Sequence, residues 1–159
     1  MPRNYESTAK FLKPDPIYGS ILATKVINKI MLCGKRTVAQ RIFYKAVEAA
    51  SKRIGLPEEE RSKLFEVAVE NVKPTVEVRS KRVGGANYQV PHEVKKPRQQ
   101  SLAIRVIIDN ARKKKGKPMH LRLADELFDA YNYQGASVTW KENTHKMADA
   151  NRAYSHFAY

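Results

Sequence analysis

The stretch VEVRSKRVGGANYQVPHEVKKPR, Val76–Arg98, decides how this chain is read. Valines alternate with charged residues on either side of the paired glycines Gly84-Gly85, the pattern of two short strands turning back at a glycine loop. A β-hairpin is therefore expected at about 74–94. Its register follows from keeping each face of one character. A two-residue Gly84-Gly85 loop would set Val78 against Pro91 and Lys81 against Tyr88, mixing the faces. A three-residue loop Val83-Gly84-Gly85 instead pairs Arg82 with Ala86, Ser80 with Tyr88 and Val78 with Val90. One face then holds Val76, Val78, Tyr88 and Val90, and the other Glu77, Arg79, Lys81, Asn87 and Gln89. Gly85 takes the left-handed position of that loop. A lone two-stranded ribbon is marginal in water. The valine root is thus expected to pack on a body, and the basic tip to stay mobile until a partner orders it.

Outward from the ribbon the clear periodicities are helical. Ala23, Ile27, Ile30 and Met31 mark a first helix at about 20–33, stopped at Gly34. Thr37 is a good N-cap for a second at about 38–53, with Ile42, Ala46, Ala49, Ala50 and Ile54 as its stripe, ending at Gly55. Pro57 and Glu58–Glu60 suit the start of a third at about 57–71, which turns Leu64, Phe65, Ala68 and Val72 inward. Beyond the ribbon, Leu102, Ala103, Val106, Ile107 and Ala111 define a fourth helix at about 98–113. Leu123, Ala124, Leu127, Phe128 and Tyr131 define a fifth at about 119–133, broken at Gly135. A sixth, with a more mixed face, runs from about 137 to 155. The fold class is mainly α: about six helices in a bundle-like body, with one protruding two-stranded β-hairpin between helices 3 and 4. Residues 1–19 read as an irregular basic arm, and 20–159 as a single helical domain.

Composition narrows the function. Of 159 residues, 30 are Lys or Arg and 16 Asp or Glu, a net charge of +14. The excess is concentrated. Residues 1–54 carry +8 and residues 79–122 carry +11, while 55–78 carry −3 and 123–159 carry −2. Such an excess favours a polyanionic partner, nucleic acid first. A single cysteine, Cys33, excludes an internal disulfide framework and fits a reducing compartment. No apolar run is long enough to span a bilayer, and the first sixteen residues lack the pattern of a signal peptide, so a cytosolic protein without membrane contact is expected.

Catalytic chemistry finds no footing. His92, His120, His145 and His156 have no metal-ligand spacing, so no cofactor is expected. Cys33 has no activating base nearby in sequence, and neither G-x-x-x-x-G-K-[ST] nor G-x-G-x-x-G occurs around Gly84-Gly85. Glu58–Glu60 and Asp125-Glu126 are explained by helix-end electrostatics and solvation. Binding chemistry remains. Arg3, Lys10 and Lys13 in the arm can follow phosphates, as can Arg79, Lys81, Arg82, Lys95, Lys96 and Arg98 in and after the ribbon. The loop Arg112-Lys113-Lys114-Lys115-Gly116-Lys117 offers five more cations. Tyr88 can either stack on a base or pack on the ribbon. Composition does not choose between DNA and RNA.

The residues do carry a resemblance. VKPTVEVRSKRVGGANYQVPHEV (Val72–Val94) resembles the hairpin signature of the universal small-subunit ribosomal protein seven family in its bacterial and organellar form. THKMADANRAYSHFAY (Thr144–Tyr159) is similar to that family's C-terminal motif, and PDPIYGS (Pro14–Ser20) and GKRTVAQRIFYKA (Gly34–Ala46) fit as well. The resemblance implies a non-enzymatic structural constituent of the small ribosomal subunit that binds small-subunit rRNA in the head and supports head assembly. Its ribbon would lie near exit-site tRNA and mRNA, beside neighbouring ribosomal proteins including small-subunit protein eleven. By position, Lys35, Arg36 and Arg41, the ribbon from Arg79 to Gly85 with Gly84, Tyr88, and Arg112–Lys117 would be nucleic-acid contacts. Lys146, Asn151 and Arg152 would face tRNA or a partner. The rival reading is an independent basic regulator that binds RNA or DNA.

Overall fold

The structure is a computed structural model and describes residues 8–158. Six α-helices occur among them: α1 Ile21–Ile30, α2 Arg36–Ile54, α3 Arg61–Val72, α4 Lys96–Lys113, α5 Met119–Tyr131 and α6 Gly135–Ala150. Between α3 and α4 stand the antiparallel strands β1, Val76–Val83, and β2, Ala86–Glu93. Short 3-10 turns occupy Thr8–Phe11, Glu58–Glu60 and Arg152–Ala158. The mainly α architecture and the position of the hairpin agree with the sequence reading. Arg3 lies outside the described residues.

Several boundaries differ, each for a local reason. α1 stops at Ile30, because Met31 is already extended and Cys33 and Gly34 both adopt positive φ. Thr37 is not an N-cap: α2 begins one residue before it, at Arg36. Glu58–Glu60 form a 3-10 turn, so α3 starts at Arg61. Gly135 is the first residue of α6 rather than only a breaker. Its φ is +87°, and a Cβ there would lie 2.7 Å from that of Asp129, so only glycine lets α6 start so close to α5. The faces of α2 and α4 are also rotated by about one position. Phe43 and Val47, and Ile104 and Ile108, are buried, while Ile42 and Val106 are half-buried at the edge.

The core is organised around α5, which packs against α2, α3, α4 and α6. Leu123, Ala124, Leu127 and Ala130 are its buried apolar residues. They face Phe43, Val47, Leu64, Phe65 and Ile108 from the surrounding helices. The segment before α1 is tied down by Asp15, which is 1% exposed. One Asp15 oxygen accepts the Ile17 and Tyr18 amides at 3.2 and 3.3 Å, and the other accepts the Tyr44 hydroxyl at 2.7 Å. Burial and then this hydrogen bond push the Tyr44 phenol up to about 12.

The sequence reading put Glu126 at a solvated helix end, yet it is completely buried on α5. Its Oε1 accepts the Ser137 amide at 3.2 Å and the Ser137 hydroxyl at 2.5 Å. This satisfies an N–H in the first turn of α6, where Gln134 makes no side-chain cap. Lys114 lies 2.8 Å from Oε2 and 3.3 Å from Asp129. Partial burial works against the Lys114 ammonium, but the bond to Glu126 and the two carboxylate charges outweigh it, and its pKa is raised. Lys114→Met would strand a buried carboxylate. The expected loss is on the order of 2–3 kcal/mol, less than for a fully enclosed pair because the lysine is one-third exposed. Chemical denaturation checks this, and adding Glu126→Gln to the variant should recover part of the loss.

Asp125, next to it, receives Lys117 at 2.9 Å and also Arg53 from α2. Burial pushes its carboxyl up, but the hydrogen bonds from Lys117 and Arg53 outweigh this and hold its pKa below 3.8. With the folded value below the unfolded one, its contribution is complete above about 3.9 and lost as acid titrates through the depressed value. Asp125→Asn should therefore lower the melting temperature at pH 7, and by progressively less as the pH falls below about 4.

Candidate nucleic-acid interface

The ribbon corrects the expected register. Val83 pairs with Ala86, Lys81 with Tyr88, Arg79 with Val90 and Val78 with Pro91, so the loop is the two residues Gly84-Gly85. Both glycines have positive φ, +57° and +92°, as the tight hairpin turn that matches strand twist requires. The side holding the ribbon's two buried residues, Glu77 and Val90, therefore also carries Arg79, Lys81 and Tyr88. Face purity failed as a guide because tertiary partners satisfy the polar groups on this side. Glu77 is ion-paired with Arg79 and with Arg98 of α4, the latter at 2.9 Å. Lys81 donates to the Phe157 carbonyl at 2.8 Å. The Tyr88 ring packs against Tyr154 and Phe157 with centroids 5.2 and 5.3 Å away. Packing is thus what the structure shows for Tyr88.

The C-terminal 3-10 turn lies along β2, and this fastening goes beyond the packed valine root expected from sequence. The ribbon's root is also held where His145 Nε2 of α6 accepts the Thr75 amide at 3.1 Å. Tyr154→Ala combined with Phe157→Ala should speed amide exchange in β1 and β2 while leaving α5 protected. Unchanged exchange at Lys81 and Tyr88 would show that the aromatic contacts do not hold the ribbon.

Of the remaining expected contacts, several are internal ties. Arg112 donates to the Lys29 and Ile30 carbonyls, at 3.2 and 3.3 Å, and so caps the C-terminus of α1. Lys114 and Lys117 are engaged by carboxylates as described. Just after α6, Asn151 donates to the Met147 carbonyl at 2.7 Å. By contrast Lys13, Lys35, Arg41, Arg82, Lys95, Lys96, Lys113, Lys115, Lys146 and Arg152 are exposed. Arg36 is exposed too and reaches Asn28 at 3.4 Å, and Lys10 sits over the Phe11 ring at 5.1 Å.

The sequence reading missed a groove between α1 and α4. It has a volume of about 390 Å³ and is lined by Lys25, Asn28, Lys29, Pro97, Gln100, Ser101, Ile104 and Arg105. Lys25 and Lys29, one helical turn apart and pointing away from the Ala23–Ile27 stripe, were visible in the sequence. Their meeting with Arg105 was not. Arg122 was missed as well: it donates to the carbonyls of Arg112 and Lys114, at 3.1 and 2.5 Å, at and just beyond the end of α4. Among the described residues no group of three or more His, Cys, Asp or Glu is placed to hold a metal ion, and no helix is long and apolar enough to cross a membrane.

A helical body with basic residues lining a groove and tipping a projecting ribbon is thus on view, and comparison with known proteins gives the family. The model of the family described as ribosomal protein S7p/S5e matches residues 2–152. Among similar proteins, one from Fervidobacterium nodosum is 50% identical over 157 residues, 99% of each chain. One from Rhodopirellula baltica is 58% identical over 145 residues, 91% of this chain and 92% of its own, and one from Chlamydia trachomatis is 48% identical over the full 159. All three are named small ribosomal subunit protein uS7. The chain belongs to the ribosomal protein S7p/S5e family, in its bacterial type, and that family is structural and non-enzymatic.

Proposed function

We propose that this chain is a structural constituent of the small ribosomal subunit that binds small-subunit rRNA in the head and supports head assembly. The observation that carries the reading is the distribution of its unspent cations. Lys13, Lys35, Arg41, Arg82, Lys95, Lys96, Lys113 and Lys115 are exposed, with no side-chain hydrogen bond or ion pair among the described residues. A folded protein has no internal use for that many outward charges, whereas a phosphate backbone neutralises them and releases its counterions. The relatives' name, small ribosomal subunit protein, supports taking that anion to be small-subunit rRNA. The ribbon, tipped by Arg82 and the Gly84-Gly85 turn, is proposed to lie near exit-site tRNA and mRNA beside small-subunit protein eleven. Lys146 and Arg152 on and after α6 would face tRNA or a protein neighbour.

Cosedimentation with small subunits in sucrose gradients at moderate salt tests the assignment, and a chain found only at the top of the gradient would refute it. Replacing Arg82, Lys113 and Lys115 together by Ala should weaken rRNA binding. The dependence of log affinity on log salt should become shallower by roughly two to three. The melting temperature should stay within a few degrees, because none of the three makes an internal tie.

A further inference from the structure

The groove between α1 and α4 has features that a phosphate track does not need. Its floor includes Ile104, 5% exposed, and its rim includes Pro97, so part of its wall is apolar. Its volume is at the small-ligand end of the range for binding pockets. Two side-chain amides line it, and each has its oxygen claimed by a cation. Lys25 Nζ donates to Gln100 Oε1 at 2.5 Å, and Arg36 donates to Asn28 Oδ1 at 3.4 Å. Lysine and arginine can only donate, so these contacts assign the amide oxygens and leave the two NH2 groups as the amides' remaining valence. Neither NH2 meets an acceptor among the described residues. Among the described residues no carboxylate lines the groove.

We propose that this groove seats a single unpaired base of the bound RNA, with the NH2 groups of Gln100 and Asn28 reading acceptor atoms on its edge. Lys29 and Arg105 hold the phosphates that flank it. The inference rests on the rRNA-binding reading and adds to it a place where a base, and not only backbone, is recognised. An occupant must bring acceptors, a flat apolar face for Ile104 and Pro97, and negative charge on either side. An unstacked nucleotide has all three. Adjacent acceptors, as on guanine N7 and O6 or cytosine N3 and O2, suit two donors best. A continuous duplex does not present them: cytosine's are paired, and guanine's lie in the deep, narrow major groove of A-form RNA. The Lys25–Gln100 contact orients the amide before RNA arrives, which lowers the cost of ordering it on binding.

The test titrates the full chain with a small-subunit rRNA transcript and with an uninterrupted RNA duplex, over a range of salt. Gln100→Ala combined with Asn28→Ala should weaken transcript binding about tenfold, with an unchanged salt slope and unchanged duplex binding. Lys29→Ala should instead reduce the salt slope by about one on both RNAs. Gln100→Met, which keeps the size and removes the donor without adding charge, should reproduce the selective loss even if the double variant folds poorly. Transcript binding equal to wild type in the amide variants, or equal losses on transcript and duplex, would overturn the base-reading site while leaving rRNA binding intact. Failure of the unaltered chain to bind either RNA would remove both.

Discussion

The structure depends most on one buried carboxylate. Glu126 is completely enclosed on α5, the helix that touches four of the other five. A charge there is tolerable only if it is paired and its lone pairs are used. Lys114 supplies the counter-charge from beyond the end of α4, and Ser137 supplies two donors from the first turn of α6. Asn110 of α4 donates to the same Ser137 hydroxyl at 3.2 Å. Three helices and the loop Lys114–Pro118 are thereby held in one relative placement. Apolar packing around Leu123 and Leu127 drives α5 inward, but it fixes rotation less strictly than directed contacts to a buried charge.

The same logic divides the protein's cations into two populations. Some close helix ends. Arg112 caps α1, Arg122 takes carbonyls at and beyond the end of α4, and Lys141 takes the Asn71 carbonyl of α3 at 2.9 Å. A helix C-terminus presents unpaired carbonyls with partial negative charge, so a cation from a distant segment serves it twice, as donor and as charge. These side chains cannot leave for a phosphate without uncapping a helix. The others, from Lys13 and Lys35 to Lys113 and Lys115, have no such duty. Net charge therefore overstates what is available to a ligand, and alternation along the Arg112–Lys117 run shows it most clearly: Arg112, Lys114 and Lys117 are bound internally, Lys113 and Lys115 face outward.

The ribbon shows why strand pairing is harder to read than helix. Apolar residues at i, i+3 and i+4 can serve only one face of α1 or α5, so Ala23, Ile27, Leu123 and Leu127 were legible as core. In β1 and β2 the alternation was equally clear, but its assignment to an inside was not. The inner side carries Glu77, Arg79 and Lys81, which a rule of uniform faces sends outward. Glu77 and Lys81 find their partners, Arg98 and the Phe157 carbonyl, in other elements distant in sequence. Paired glycines with φ of +57° and +92° then select the shorter loop.

The sequence by itself determined the element types, the hairpin's place between α3 and α4, the core stripes of α1 and α5, the absence of catalytic motifs and the family. All of these follow from local periodicity, turn chemistry or contiguous motifs, which neighbouring residues express on their own. Only the tertiary structure decided the register of the ribbon, its fastening by the C-terminal aromatic residues, the burial of Glu126 and the groove between α1 and α4. The last three join residues eleven to seventy-six positions apart, and the register depends on partners of that kind. A hydrogen bond or ion pair forms according to distance in space, and the distance between Lys25 and Gln100, or between Lys81 and Phe157, exists only once the helices have packed.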